Sequence, residues 1–325
     1  MNAVLVSIDS LRADAVSCYG STWVDTPHLD RLADDGILFE NTVVQTPHTI
    51  PSHASMLTGL YPFNHGLRKD SGLRLSAGAR TLFDYVQAYG YETAAFLGNY
   101  VFGSEYGYTG WNRKGRPHPH AIAASVDDFT GQRFFMFIHT YDLHVPYCTI
   151  LPAENTMDRR VNALLRFERS TGRRLPAEFR DKHIAPGGDE WLRRINKIVD
   201  ILVSGDKEAA KEIRQGYKQS VEQIDRWLGE IVTILENAGV WNDTLLIVTA
   251  DHGDCFNEHG EMNANPHWSS IHGAFLYDNV LKVPLLIRIP GGTAGAIRVP
   301  SVVESVDIAP TICELLKIGT DPGGG

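Results

Sequence analysis

A chain of 325 residues, 43% hydrophobic and 21% charged, is long and apolar enough to bury a sizeable core as one large domain or two small ones. A net charge of -9 speaks against wholesale nucleic-acid binding, which needs a basic footprint, and no apolar run approaches bilayer-spanning length. The start runs straight into Ala3-Val4-Leu5-Val6-Ser7-Ile8 without a basic leader or cleavage site, so the expected location is cytoplasmic.

In chain order, residues 4–8 read as a continuous apolar strand and residues 30–36 as a short helix stopped by Gly36. Residues 81–89 form an amphipathic helical pattern ahead of Gly90. Residues 93–97, 134–138, 244–249 and 284–289 are buried-strand patterns. Between them, residues 212–238 place Val221, Ile224, Leu228, Ile231 and Leu235 on one helical face, with Gly239 as the stop. Strands apolar on both faces, alternating with helices, point to a mainly parallel sheet covered on both sides.

Residues 154–215 differ: helical in pattern, rich in arginine from Arg159 to Arg180, and interrupted by Pro186-Gly187-Gly188. They read as a helical cap inserted into one catalytic domain spanning 1–325. The arginines are equally consistent with a solvated surface and with a cationic rim for an anionic substrate. Cys18, Cys148, Cys255 and Cys313 form no C-x-x-C pair and read as reduced thiols, Cys255 standing out because it follows an Asp-His pair.

In sheets of this kind, chemistry gathers beyond the carboxyl ends of strands. Asp9 follows the first strand, His139, Asp142 and His144 follow residues 134–138, and Asp251-His252 follow residues 244–249. Thr49-Ile50-Pro51-Ser52-His53 adds a hydroxyl beside a proline-set turn. A threonine is a weak nucleophile unless a cation stabilises its alkoxide. Asp9, Asp251 and His252, with Thr49 completing the set, suit one divalent ion, and the mixed oxygen and nitrogen donors favour zinc or manganese over calcium.

Val6-Ser7-Ile8-Asp9-Ser10-Leu11-Arg12-Ala13-Asp14, Cys18-Tyr19-Gly20, Thr26-Pro27-His28-Leu29-Asp30-Arg31-Leu32-Ala33 and Gly36-Ile37-Leu38-Phe39-Glu40-Asn41 open a series of motifs. It continues through Pro51-Ser52-His53-Ala54-Ser55-Met56-Leu57-Thr58-Gly59, residues 139–147, Asp251-His252-Gly253, Glu258-His259-Gly260, His272-Gly273, Val283-Pro284-Leu285 and Asp307-Ile308-Ala309-Pro310-Thr311. In this order they resemble the sulfatase family of the alkaline phosphatase superfamily. The resemblance implies a three-layer α/β sandwich and a metal-assisted ester-bond hydrolase. Family members usually continue past Asp307–Thr311 into a small C-terminal subdomain, so the expectation is either a minimal enzyme whose open pocket the cap or a partner subunit completes, or a fragment of a longer chain.

Two departures from the family pattern steer the expected chemistry. The family's oxidisable Cys or Ser is Thr49 and its motif arginine is His53, an arrangement similar to threonine-nucleophile phosphodiesterases. The Asp-Asp and Asp-Asn pairs of calcium-binding sulfatases are Asp9-Ser10 and Asp251-His252, closer to phosphonate monoester hydrolases. The lysine-containing motif of many arylsulfatases is also absent near Gly98-Asn99-Tyr100.

The expectation is therefore hydrolysis of a small anionic phosphate ester, phosphodiester or phosphonate ester through Thr49. His53, His139, His144, His259 and His272 are the remaining catalytic candidates; the last four would bind non-bridging oxygens or protonate the leaving group. His28, His65, His118 and His120 read as structural. A second metal on Asp142, His144 and His272 is a lesser alternative. Competing readings are a sulfuric ester hydrolase, a phospho-group transferase, and a degenerate binding protein on the same fold. Oligomeric state is open.

Overall fold

The computed structural model describes residues 1–70, 73–98, 112–145, 147, 198–204, 207–260 and 271–319. Its strands are β1 (Asn2–Ile8), β2 (Ile37–Val43), β3 (Glu92–Leu97), β4 (Arg113–Gly115) and β5 (Phe134–Thr140). After these come β6 (Thr244–Ala250), β7 (Lys282–Val283), β8 (Leu285–Arg288) and β9 (Ile297–Glu304). The helices are α1 (Pro27–Asp34), α2 (Thr49–Thr58), α3 (Pro62–His65), α4 (Leu82–Ala88), α5 (Pro119–Asp128), α6 (Lys207–Asn237), α7 (Asp278–Leu281) and α8 (Ile308–Leu315).

The described strands make one sheet in the order β4-β3-β5-β1-β6-β8-β2-β7, with β9 on β2. From β4 to β6 every pairing is parallel, whereas β8 runs antiparallel to both β6 and β2. The fold is thus the expected mainly parallel α/β sandwich, with a mixed edge.

Period-two alternation explains the layering. Val4, Val6 and Ile8 of β1, with Met136 and Ile138 of β5 and Leu246 and Val248 of β6, pack on α1, α5 and α6. Their neighbours Ala3, Leu5, Phe135, Phe137, Leu245 and Ile247 face the other way, onto α2, α4 and α8. Each fully buried aliphatic side chain contributes about 1.5–3 kcal/mol, so the doubly covered central strands carry much of the fold's stability. The five-residue stripe from Val221 to Leu235 is buried on α6 as its spacing predicts.

The structure corrects three local expectations. The first helix runs Pro27–Asp34 rather than 30–36, because Asp225 of α6 accepts the free N–H groups of His28 (3.1 Å) and Leu29 (2.9 Å). Thr49 does not sit in a turn but opens α2; Pro51 falls in the first turn, where its missing N–H costs nothing, and Asp70 Oδ1 accepts the Ile50 N–H at 2.9 Å. Strands β2 and β9, absent from the sequence reading, close the mixed edge.

Most of the proposed cap, residues 154–197 with its arginines, lies outside the described residues, as do Cys148 and Asn99-Tyr100; residues 198–204 and 207–215 are helical. Cys18, Cys255 and Cys313 are free thiols, and Cys255 Sγ points to Asn279 Oδ1 at 3.3 Å. Among the described residues no helix is long and apolar enough to cross a membrane.

Candidate active site

The carboxyl ends of β1, β5 and β6 bring the acids and imidazoles together. Asp9 is pinned by its N–H to Thr140 O of β5 (3.0 Å), and Ser52 Oγ of α2 donates to Asp251 O (2.6 Å), fastening the Thr49 helix to the end of β6. Ser10 sits in the left-handed region (φ 62), where its Oγ donates to Asp9 Oδ1 (2.9 Å) and its N–H to Asp251 Oδ1 (3.1 Å). The His252 N–H takes the same Asp251 oxygen (2.9 Å). The Oδ1 atoms are thereby consumed. Asp9 Oδ2 and Asp251 Oδ2 are buried and accept no hydrogen bond, an arrangement that costs free energy unless a cation meets them.

The imidazole of His252 fits the same purpose. Its Nδ1 lies 3.0 Å from Gly253 O, which can only accept, so a neutral ring carries its proton there and presents the Nε2 lone pair. That Nε2 is 3.2 Å from Thr49 Oγ1 and 3.5 Å from Asp251 Oδ2. Ligand atoms of Asp9, Asp251 and His252 all lie within 4.8 Å of one another. The donor set, two carboxylate oxygens and one imidazole, suits a zinc- or manganese-type ion. Gly253 permits this turn, because a side chain there would collide with the Asn279 carbonyl.

Electrostatics agree. Burial pushes Asp9 up to about 6 against the pull of His252 and His272, and pushes Asp254 up to about 8. Burial opposes charge on His252 too, but Asp251, Asp9 and Asp254 outweigh it and lift the ring to about 9. Crowded buried carboxylates that resist ionising alone are the environment a divalent ion relieves.

The other candidates divide. His53 is fully buried beneath Thr49, with Nδ1 on Thr49 O (2.7 Å), Nε2 on Ser7 Oγ (2.8 Å), and Asp251 Oδ2 at 3.7 Å. His139, also fully buried, places Nε2 3.4 Å from Asp9 Oδ2. Burial holds both rings low, near 3 and 4 respectively. His144 bonds Val145 O through Nδ1 (2.7 Å), and its ring lies 4.8 Å from that of His272, which stacks at 4.6 Å on His252. His259 is exposed, stacks on Tyr277 (4.1 Å), and among the described residues belongs to none of the ligand groups.

The second-metal alternative changes its members. Asp142 is exposed and accepts from Thr140 Oγ1 (3.2 Å), while among the described residues the ligand group that includes His272 is His252, Asp254 and His272. Asp254 escaped the sequence reading although it stands inside Asp251-His252-Gly253-Asp254. A second omission is His48, whose Nδ1 meets Asp70 Oδ2 at 2.9 Å directly before Thr49; no sequence signal joins residues 22 apart across a loop. Of the histidines read as structural, His65 is buried on Ser55 and Leu67, and His118 stacks on His120 (5.3 Å).

The chain is 22% identical to an N-acetylglucosamine-6-O-sulfatase of Bacteroides thetaiotaomicron, over 98% of this chain and 68% of that protein. It is 25% identical to human iduronate 2-sulfatase, over 90% of this chain but only 60% of the relative. The phosphonate monoester hydrolase of Agrobacterium radiobacter shares the fold, with a TM-score of 0.68 at 21% identity, covering 98% of this chain and 74% of that one. The sulfatase family model matches residues 1–318, embracing Asp9, Thr49, Asp251 and His252 alike, so the chain belongs to the sulfatase family of ester-bond hydrolases.

Proposed function

We propose that the chain is a metal-dependent hydrolase of small anionic phosphate ester, phosphodiester or phosphonate ester substrates, with Thr49 as covalent nucleophile. The observation that carries this reading is Thr49 Oγ1, 3.2 Å from His252 Nε2, the imidazole that clusters with Asp9 and Asp251, whose Oδ2 atoms accept no hydrogen bond. A secondary alcohol at this position is not converted to the aldehyde that sulfatases of the main type use, which favours direct attack on phosphorus.

Asp9, Asp251 and His252, with Thr49, would hold one zinc or manganese ion. When bound, that ion supplies Lewis-acid stabilisation of negative charge. Thr49 gives its proton to solvent and bonds to phosphorus as the bond to the leaving oxygen breaks. His272 and His144, both presenting Nε2, bind the non-bridging oxygens and protonate the leaving oxygen. Water then cleaves the phosphothreonine. His53 grips the main-chain oxygen of Thr49 and the hydroxyl of Ser7, so its part is to position the nucleophile.

A second reading, sulfuric ester hydrolysis, draws on the names of the sulfatases to which the chain is similar. Zinc- and manganese-loaded protein assayed on p-nitrophenyl phosphate, bis-p-nitrophenyl phosphate, a phenylphosphonate ester and p-nitrophenyl sulfate separates the two. Turnover of a phosphorus ester above the sulfate, abolished in Thr49→Ala, is expected. Faster sulfate turnover would replace the first reading by the second, and full activity in Thr49→Ala would remove the nucleophile assignment.

A further inference from the structure

Asp254 takes no part in the reaction as set out above, yet it is completely buried at the centre of a fixed network. Its Oδ1 lies 2.7 Å from His272 Nδ1, and its Oδ2 accepts the O–H of Tyr147 at 3.1 Å. Its main-chain oxygen accepts from Arg12 Nη1 at 3.1 Å. Tyr147 is itself fully buried, edge-on to Tyr217 (5.2 Å) and Phe256 (5.8 Å), so the phenol that anchors the carboxylate is immobilised by packing.

The donor and acceptor inventory decides what this network does. When Asp254 is ionised, its Oδ1 accepts from the imidazole as its Oδ2 does from the phenol, which keeps a proton of His272 on Nδ1. The other nitrogen, Nε2, belongs to a ring stacked on His252 and edge-on to His144. Both Asp254 oxygens already have donors, so the group of His252, Asp254 and His272 is better explained as a hydrogen-bonded relay than as a second cation site.

We propose that Asp254 is a positioning residue for ester hydrolysis, holding the His272 ring by its Nδ1–H in the orientation from which the doubly protonated imidazolium delivers its Nε2 proton to the leaving oxygen. This rests on the hydrolase reading above. As the ester bond breaks, its electron pair stays on the leaving oxygen, which takes the Nε2 proton. The Nδ1–H to Oδ1 bond persists, and the water that cleaves the phosphothreonine later returns a proton to Nε2.

The test uses the full chain loaded with zinc, its variants Asp254→Asn, His272→Gln, the double variant and Tyr147→Phe, and matched phenyl and p-nitrophenyl esters. A nitrophenolate needs little protonation to leave, whereas a phenolate needs much. Asp254→Asn should lower kcat on the phenyl ester by about 10²-fold or more, lower it less than about tenfold on the p-nitrophenyl ester, and hold KM within about twofold. In the His272→Gln background it should cost nothing further. Equal losses on both esters, or an additive loss in the double variant, would overturn the proposal. So would the disappearance of one bound metal equivalent from Asp254→Asn.

If circular dichroism shows Asp254→Asn to be unfolded, Tyr147→Phe must show the same leaving-group bias at smaller amplitude; equal losses there reject the idea. A downfield imidazole N–H proton resonance should be present in wild type and Thr49→Ala and lost in His272→Gln. That reading needs no turnover, so failure of the hydrolase assignment and failure of the Asp254–His272 link are told apart.

Discussion

Thr49 Oγ1 and His252 Nε2 lie 3.2 Å apart, joining the first turn of α2 to the end of β6 across 203 residues of chain. The pairing makes the hydroxyl, not the methyl, the functional part of Thr49. Thr49→Val, nearly isosteric, should lose roughly 10³-fold or more in kcat, while Thr49→Ser should keep activity within about tenfold. Steady-state assays on the best substrate of the panel measure both. Equal loss in the two variants would show that shape, and not the oxygen, matters.

Ser10 holds Asp9 Oδ1 through its hydroxyl and Asp251 Oδ1 through its amide. Partners that orient ligand groups typically account for 10–100-fold in metal affinity. Ser10→Ala keeps the amide contact and removes the hydroxyl, so zinc affinity should fall about tenfold or more, read by chelator competition. An unchanged affinity would mean that Asp9 is oriented by packing alone.

Asp225 offers a structural contrast. It caps α1 from the neighbouring helix, and Asp225→Ala should cost about 1–2 kcal/mol of unfolding free energy while leaving zinc affinity untouched. Urea denaturation followed in parallel with metal titration tests both halves. A loss of metal affinity comparable to that of Ser10→Ala would show that α1 and the site are coupled.

His65 sets a pH dependence away from the site. Its Nδ1 accepts the Leu67 N–H (3.1 Å) and its Nε2 meets Ser55 Oγ (3.0 Å), and burial lowers its pKa from 6.5 to about 4. Between these values the unfolded chain binds a proton that the folded chain refuses, so stability declines as pH falls from 6.5 to 4. The contribution is roughly 2–3 kcal/mol over that window. His65→Gln should flatten the decline, whatever it costs at pH 7, in urea titrations at pH 7, 6 and 5. A slope identical to wild type would assign the acid sensitivity to other groups.

Much of the architecture is legible before any coordinates. Residues 4–8, 134–138 and 244–249 are apolar on both faces because each strand feeds two helical layers, and Asp9, His139 and Asp251 follow them directly. The antiparallel edge is harder to read. Strand β9 is largely exposed, so it lacks the apolar run that marks a buried strand. His259 shows the converse, a motif histidine whose ring lies on the surface against Tyr277.

Residue types and local periodicity therefore establish the sandwich, the family resemblance, and the supply of acids, imidazoles and a hydroxyl at strand ends. Which of those groups meet was a matter of packing. Thr49 stands at a helix start because Asp70 caps Ile50, α1 begins early because Asp225 reaches it, and Asp254 replaces Asp142 beside His272 because β6 and its following turn carry it inward. Each depends on a hydrogen bond between residues far apart in the chain. Local patterns record which face of an element is apolar, but not which distant donor or acceptor will be waiting when that face is buried.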